Sequence, residues 1–212
     1  MLREIRGPRV WLSLVLTLAV VTAGSLGPAE AAAAEETAVF AGGCFWGVQA
    51  VFQRVKGVTK AVSGYAGGSA GTARYELVSR GTTGHAESVQ VTYDPSRVSY
   101  AQLLEVFFTV AHDPTELDRQ GPDVGPQYRS AIFYTSPAQR TGAQAFIDQL
   151  TASKMFSRAI VTKVVTLAGF YPAEAYHQDY LDRHPDDPYI VHNDWPKVRS
   201  LQKKFPALYV EK

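Results

Sequence analysis

The chain has 212 residues, with 21 Lys and Arg against 20 Asp and Glu, a formal net charge of +1 and a single cysteine. So balanced a charge leaves no field to steer the chain onto nucleic acid or acidic lipid. One cysteine excludes an internal disulfide framework and a thiolate-rich zinc site.

Arg3, Arg6 and Arg9 precede an apolar stretch from Val10 to Leu26, with small-residue sites at Ala29-Glu30-Ala31 and Ala31-Ala32-Ala33. This is the pattern of a cleaved export signal over residues 1–34. The alternative is an uncleaved N-terminal membrane anchor, since the stretch is long for a signal core and short for a full span. No cysteine stands at its C-terminal end, so a lipoprotein anchor is not expected. The expected compartment is the periplasm or the exterior of a bacterium, with no membrane attachment after cleavage. Cleavage removes the three arginines with Glu4 and Glu30, which takes the formal net charge from +1 to zero. Residues 35–212 then form one expected domain of about 178 residues, large enough for a real core.

Residues 37–42 read as a strand, and 44–55 as a helix with Val48, Val51, Phe52 and Val55 inward. Gly42 and Gly43 let the chain turn sharply between them, so Cys44 is expected in the first helical turn. Unpaired N–H groups and the helix dipole there lower a thiol pKa from about 8.5 towards roughly 3.5–7.5. The rival reading is a small buried core cysteine.

A second strand is expected over 59–65, a glycine-rich loop over 64–71 and a half-buried strand over 86–93 with Val89, Val91 and Tyr93 on one face. Ser99 and Gln102 form a capping box that opens a helix running to Ala111. Residues 130–135 read as a strand. Ser136 and Gln139 form a second capping box with Pro137 at the first helical position, followed by Ala143, Phe146, Ile147 and Leu150 at helical spacing. Residues 160–167 are a β-branched strand. The tail from Arg183 holds four prolines and one short helix candidate, Trp195 to Lys204, and is expected to wrap the core as ordered loop. The order β-α-β-β-α-β with an added α and β gives an α+β class. It is a split βαβ, ferredoxin-like two-layer α/β plait with helices on one face.

Glu87 prolongs the apolar stripe of Val89, Val91 and Tyr93. It lies either at a solvent-exposed strand end or partly buried. A buried carboxyl without a cation has a raised pKa, stays protonated near neutrality and donates to a developing oxyanion.

Gly43-Cys44-Phe45-Trp46-Gly47, Gly84-His85-Ala86-Glu87, Tyr93-Asp94-Pro95, Gln127-Tyr128-Arg129-Ser130 and His112-Asp113-Pro114 together resemble the A-type peptide methionine sulfoxide reductases in order and spacing. The resemblance runs from about Val39 to the C-terminus. It implies that Cys44 attacks the sulfur of the S epimer of methionine sulfoxide while Glu87 protonates the departing oxygen. Tyr75 and Tyr128 match two hydroxyl donors to that oxygen, Phe45 and Trp46 an aromatic wall for the S-methyl group, and Asp123 a supporting acid. Oxidised proteins or peptides are the implied substrates, and a monomer is expected.

The chemistry is coherent: a sulfoxide oxygen leaves poorly until protonated, and a methyl group is recognised by aromatic surface. The product is a Cys44 sulfenic acid, which a thiol must reduce. Many family members carry further cysteines near the C-terminus that do so. This chain has none, so an external thiol is required, either a thioredoxin-like protein or a small thiol. No bound cofactor and no metal are expected, because His112, His177, His184 and His192 lack metal spacing.

Each residue has a plainer alternative: Tyr75 and Tyr128 as half-buried tyrosines, Asp123 as a turn residue, Phe45 and Trp46 as partly core, and His85 as a structural turn histidine. Two other functions compete. One is a cysteine acyl-transfer enzyme using Cys44 and His85, which requires the imidazole within reach of the sulfur. The other is a non-catalytic redox sensor or peptide-binding module on the same fold.

Overall fold

The computed structural model describes Met1 and residues 34–212; the apolar stretch of the expected export signal lies outside the described residues. Strand β1 (Glu36–Gly42) leads into helix α1 (Phe45–Phe52), and β2 (Val58–Ala66) returns antiparallel to β3 (Ala86–Tyr93), with a short helix α2 (Tyr75–Val78) between them. Next come α3 (Tyr100–Val106), the two-residue strands β4 (Arg119–Gln120) and β5 (Asp123–Val124), β6 (Ser130–Tyr134) and α4 (Pro137–Ala152). The chain closes with β7 (Lys163–Thr166), β8 (Phe170–Pro172), α5 (Tyr180–Arg183) and α6 (Trp195–Lys204).

The main sheet has six strands in the order β7-β6-β1-β3-β2-β8. Strand β3 pairs antiparallel with both β1 and β2, so β1 and β2 run parallel with β3 between them. This is the split βαβ unit: α1 carries the chain from β1 to β2 and leaves a slot that β3 fills. Strand β6 adds antiparallel to β1, completing the plait order, while β7 and β8 extend the two edges. The α+β plait expected from the element order is the observed fold.

Side chains alternate across the sheet, so its two faces carry different cores. Ala38, Phe40, Val89, Val91 and Tyr93 join Val48, Val51, Phe52, Leu103, Leu104 and Phe107 of the helical layer in the larger cluster. Phe40 stacks on Phe52 at 5.1 Å and on Phe107 at 4.9 Å, which bolts β1 between the two helical segments. Val39, Ala41, Ala66, Ala86, Ala131 and Phe133 form a smaller cluster on the other face.

Both N-terminal caps expected from the sequence are present. Ser99 accepts from the Gln102 N–H and its own N–H donates to Gln102 Oε1, a complete capping box. Ser136 accepts from the Gln139 N–H, but the Gln139 side chain reaches back to Thr135 and to the Thr37 carbonyl, tying α4 to β1.

Three expectations need correction. The helix expected over 100–111 turns α-helical only to Val106 and then opens into a π-helical turn over Phe107–Ala111. Here Thr109 Oγ1 donates to Glu105 O, and His112 Nδ1 engages Phe107 O, so side chains compete for the last carbonyls. The strand expected over 160–167 shortens to β7, since only Lys163–Thr166 finds β6 as a partner. The tail has the helix expected over Trp195–Lys204 as α6, but part of what was expected as loop is a π-helical turn over Ile190–Asp194, and both pack on α1.

His112 is the polar hinge of this layer. It is buried, its Nδ1 donates to Phe107 O at 2.9 Å, and its Nε2 accepts from Ser130 Oγ at 2.7 Å. Burial pushes its pKa from the usual 6.5 down to about 4, against the raising effect of the Phe107 bond. The folded state therefore binds fewer protons than the unfolded one between those pH values. The stability this group contributes is present above pH 6.5 and is lost as pH falls towards 4. Urea midpoints measured across that window should fall more steeply with acid for the wild type than for His112→Gln; parallel curves would contradict the assignment.

Candidate active site

Cys44 reaches the site because β1 ends in two glycines. Gly43 has φ +89, and a Cβ on it would lie 2.5 Å from the Gln120 side chain, so only glycine makes this turn at this approach. Helix α1 begins at Phe45, so Cys44 is the residue before the first turn rather than inside it, and it is buried.

Glu87 lies on the face of β3 that points to the helical layer and is 2 % exposed. The Phe45 backbone N–H donates to its Oε2 at 3.1 Å. An otherwise unpaired N–H of the helix start thus holds the carboxyl next to the cysteine. Burial raises the Glu87 pKa to about 8, opposed by the Phe45 bond and assisted by Asp123 and Asp194. At neutral pH the group is a neutral acid.

The expected lowering of the Cys44 pKa is overturned. Burial pushes the thiol well above its usual value, and the charges of Glu87 and Asp194 push it further. The backbone N–H of Trp46 and the cation of Lys197 oppose that shift without cancelling it. Local helix-start geometry favours a thiolate, but here the tail and Glu87 enclose the sulfur and desolvation wins. The resting site therefore carries both protons, one on sulfur and one on the carboxyl.

The other expected site residues converge on this pair. Trp46 Nε1–H donates to His177 Nδ1 at 3.2 Å, its indole stacks on Tyr180 at 3.7 Å, and Tyr189 meets it edge-on at 5.8 Å. Trp46 stays partly exposed, whereas Phe45 is 1 % exposed and packs on Tyr65 and His177. Trp46 is thus the accessible ring of the pair and Phe45 the buried one.

Tyr75 opens α2, where its N–H donates to Glu174 Oε1 at 2.9 Å and its ring lies 4.5 Å from His177. Tyr128 stands in the 3-10 turn Pro126–Tyr128. Burial first, then the charge of Glu87, raises both phenol pKa values, and Cys44 adds to each. Both hydroxyls therefore stay donors. Asp123 arrives on the β4–β5 hairpin, anchored by Gln120, whose amide brackets the N–H and carbonyl of Asp113. It accepts from Tyr189 Oη at 2.5 Å. Burial raises its pKa, with the Tyr189 bond and Lys197 opposing.

His177, Tyr180, Tyr189, Asp194 and Lys197 were not anticipated as site residues. The run Tyr176-His177-Gln178-Asp179-Tyr180 carried the only hint, three aromatic or imidazole rings in an otherwise polar segment. His85 faces elsewhere: its Nδ1 accepts from Gly68 N–H and its Nε2 donates to Ser69 O. With both nitrogens committed to the glycine-rich turn, it is no base for Cys44, which removes the basis for acyl transfer. A groove of about 780 Å³ lined by Gln49, Lys60, Gln178 and Lys212 includes neither Cys44 nor Glu87.

The raised pKa of Glu87 has a sign that stability measurements read. The folded state holds this proton between pH 4.5 and about 8 while the unfolded chain has lost it. The group's contribution is complete below 4.5 and is lost as pH rises through 8. Glu87→Gln should therefore gain stability relative to wild type as pH is raised across this window. A constant difference in urea midpoint would contradict the burial of a neutral acid.

The peptide methionine sulfoxide reductase family profile matches residues 36–208. The chain is 61% identical over 183 residues to a peptide methionine sulfoxide reductase MsrA 2 of Mesorhizobium japonicum, covering 86% of this chain and 94% of that one. Among solved structures, reduced Mxr1 of Saccharomyces cerevisiae superposes with a TM-score of 0.66 at 32% identity, covering 72% of this chain and 87% of that one. Methionine sulfoxide reductase A of Corynebacterium diphtheriae does so with a TM-score of 0.62 at 35% identity, covering 71% and 76%. With a lone cysteine and a buried acid meeting at an aromatic wall in the same fold, the chain belongs to the peptide methionine sulfoxide reductases of the A type, and is an oxidoreductase.

Proposed function

We propose that the chain reduces the S epimer of methionine sulfoxide, free or in oxidised proteins, with Cys44 as nucleophile and Glu87 as acid. The observation that carries this reading is the buried Glu87 carboxyl held by the N–H of Phe45, the residue next to Cys44, where burial raises its pKa to about 8. Cys44 sulfur bonds to the sulfoxide sulfur while Glu87 gives its proton to the oxygen, and the Cys44 proton replaces the one given up. Collapse of that adduct moves the hydroxyl to Cys44, so the substrate sulfur gains two electrons as the cysteine sulfur loses two.

Tyr75 and Tyr128 donate to the departing oxygen, and Trp46 with Tyr180 and Tyr189 receives the S-methyl group. Sulfur–aromatic contact of this kind is worth about 0.3–1.5 kcal/mol. Asp123 orients Tyr189 through their hydrogen bond. Storing Cys44 as a thiol makes attack depend on a proton acceptor, and the sulfoxide oxygen is that acceptor.

Regeneration falls to an external thiol, either a thioredoxin-like protein or a small thiol, since Cys44 is the only cysteine. The thiol attacks the sulfenic sulfur, forming a mixed disulfide and water; a second thiol releases Cys44 and leaves as disulfide. The signal-like pattern of residues 1–34 supports repair outside the cytoplasm as the compartment of this activity.

With excess dithiol, purified protein should convert the S epimer of a methionine sulfoxide peptide and spare the R epimer. Conversion of neither would sink the reading, and one stoichiometric turnover without recycling would replace the enzyme with a sensor. Cys44→Ser should abolish reduction. Glu87→Gln should slow sulfenic acid formation in a single turnover by about 10²–10⁴-fold with little change in substrate binding. An unchanged single-turnover rate would remove Glu87 from the acid role.

A further inference from the structure

Gln127 and Arg129 flank Tyr128 in the motif Gln127-Tyr128-Arg129-Ser130. Arg129 is partly buried and forms no ion pair among the described residues. Its fork grips backbone instead. Nη1 donates to His85 O at 3.1 Å and to Pro126 O at 2.8 Å, and Nη2 donates to Gly84 O at 2.8 Å. One guanidinium thus ties the 3-10 turn that carries Tyr128 to the turn that leads into Glu87. A Cβ on Gly67 would stand 2.8 Å from Arg129 Nη2, so glycine there leaves room for the fork. Gln127 is 5 % exposed, and its Nε2 donates to Ser79 O at 3.1 Å. Its Oε1 has no hydrogen-bond partner among the described residues, so stability alone does not account for a buried amide here.

Ser79 ends α2, the helix that Tyr75 opens, and Gly84 and His85 lead into β3, which carries Glu87. The two neighbours of Tyr128 therefore hold opposite ends of the stretch that joins Tyr75 to Glu87. The 3-10 turn also packs against β3. Resting on the reading of Tyr128 as a donor to the departing oxygen, we propose that Gln127 and Arg129 are positioning residues that fix Tyr128 relative to Glu87 by clamping the 79–85 segment. The turn needs such support. Its own backbone bonds are Tyr128 N–H to Gly125 O at 3.0 Å and Arg129 N–H to Pro126 O at 3.3 Å, and 3-10 geometry is weaker than α-helical. A misplacement of about 1 Å in a reacting geometry can cost about 10²-fold in rate. Lysine carries the same charge but has no planar fork to bridge the three carbonyls.

The test is the single-turnover rate of sulfenic acid formation on the full chain, with substrate affinity measured alongside. Tyr128→Phe should slow the step by about 10²-fold. Arg129→Lys should slow it by about tenfold with affinity unchanged. Added to Tyr128→Phe, Arg129→Lys should cost less than about twofold more, because the hydroxyl it positions is gone. A wild-type rate for Arg129→Lys or for Tyr128→Phe, or losses that multiply in the double variant, would overturn the proposal. Should Arg129→Lys fail to fold, Gln127→Met, which removes the donor to Ser79, must show the same dependence on Tyr128. Amide hydrogen exchange needs no sulfoxide, so it separates the clamp from the reductase reading. Arg129→Lys, or Gln127→Met in its place, should speed exchange in segments 79–85 and 125–129 by about fivefold and leave α4 as in wild type. Unchanged exchange in those segments would overturn the clamp even if the protein reduces sulfoxides.

Discussion

One hydrogen bond organises the site: the Phe45 backbone N–H to the carboxyl of Glu87. It joins the start of α1 to the central strand β3, the two elements that the split βαβ connection brings together. It satisfies a helix-start donor that burial would otherwise leave costly, and it holds a carboxyl where no cation stabilises its charge. The acid is neutral because it is buried, and it is buried because β3 lies between β1 and β2 beneath α1. Fold and chemistry meet in that one contact.

The consequence is a site whose two principal groups are both protonated at rest. A reactive cysteine is usually read as a ready thiolate, yet here burial by the tail and by Glu87 outweighs the helix start. Such a thiol is protected from indiscriminate oxidation, since the thiolate is the reactive form. Reactivity then waits for a substrate that brings its own proton acceptor. That logic suits a chain with no second cysteine to rescue an unwanted sulfenic acid.

Much of this was legible before any coordinates. The alternation of Glu87 with Val89, Val91 and Tyr93 put the carboxyl in line with the apolar stripe but left its burial open, and the double glycine located the turn into α1. The caps at Ser99 and Ser136 and the α6 boundaries followed from local chemistry alone. What was not legible depends on contacts between residues far apart in the chain: His177 on Trp46, Tyr189 on Asp123's hairpin and Asp194 against Gly47. Pro185 and Pro188 suggested loop up to Trp195, but a π-helical turn over Ile190–Asp194 fills part of that stretch, while Pro196 sits in the first turn of α6, where its missing N–H costs nothing. The Cys44 error has the same origin, because a local dipole argument is blind to desolvation imposed by a distant segment.

The most direct test of the neutral buried acid is an infrared titration of the carboxylic C=O stretch, taken as wild type minus Glu87→Gln. The account predicts a protonated-carboxyl band that persists at pH 6 and titrates away with a midpoint near the value of about 8. A Glu87 already ionised at pH 6 would contradict it.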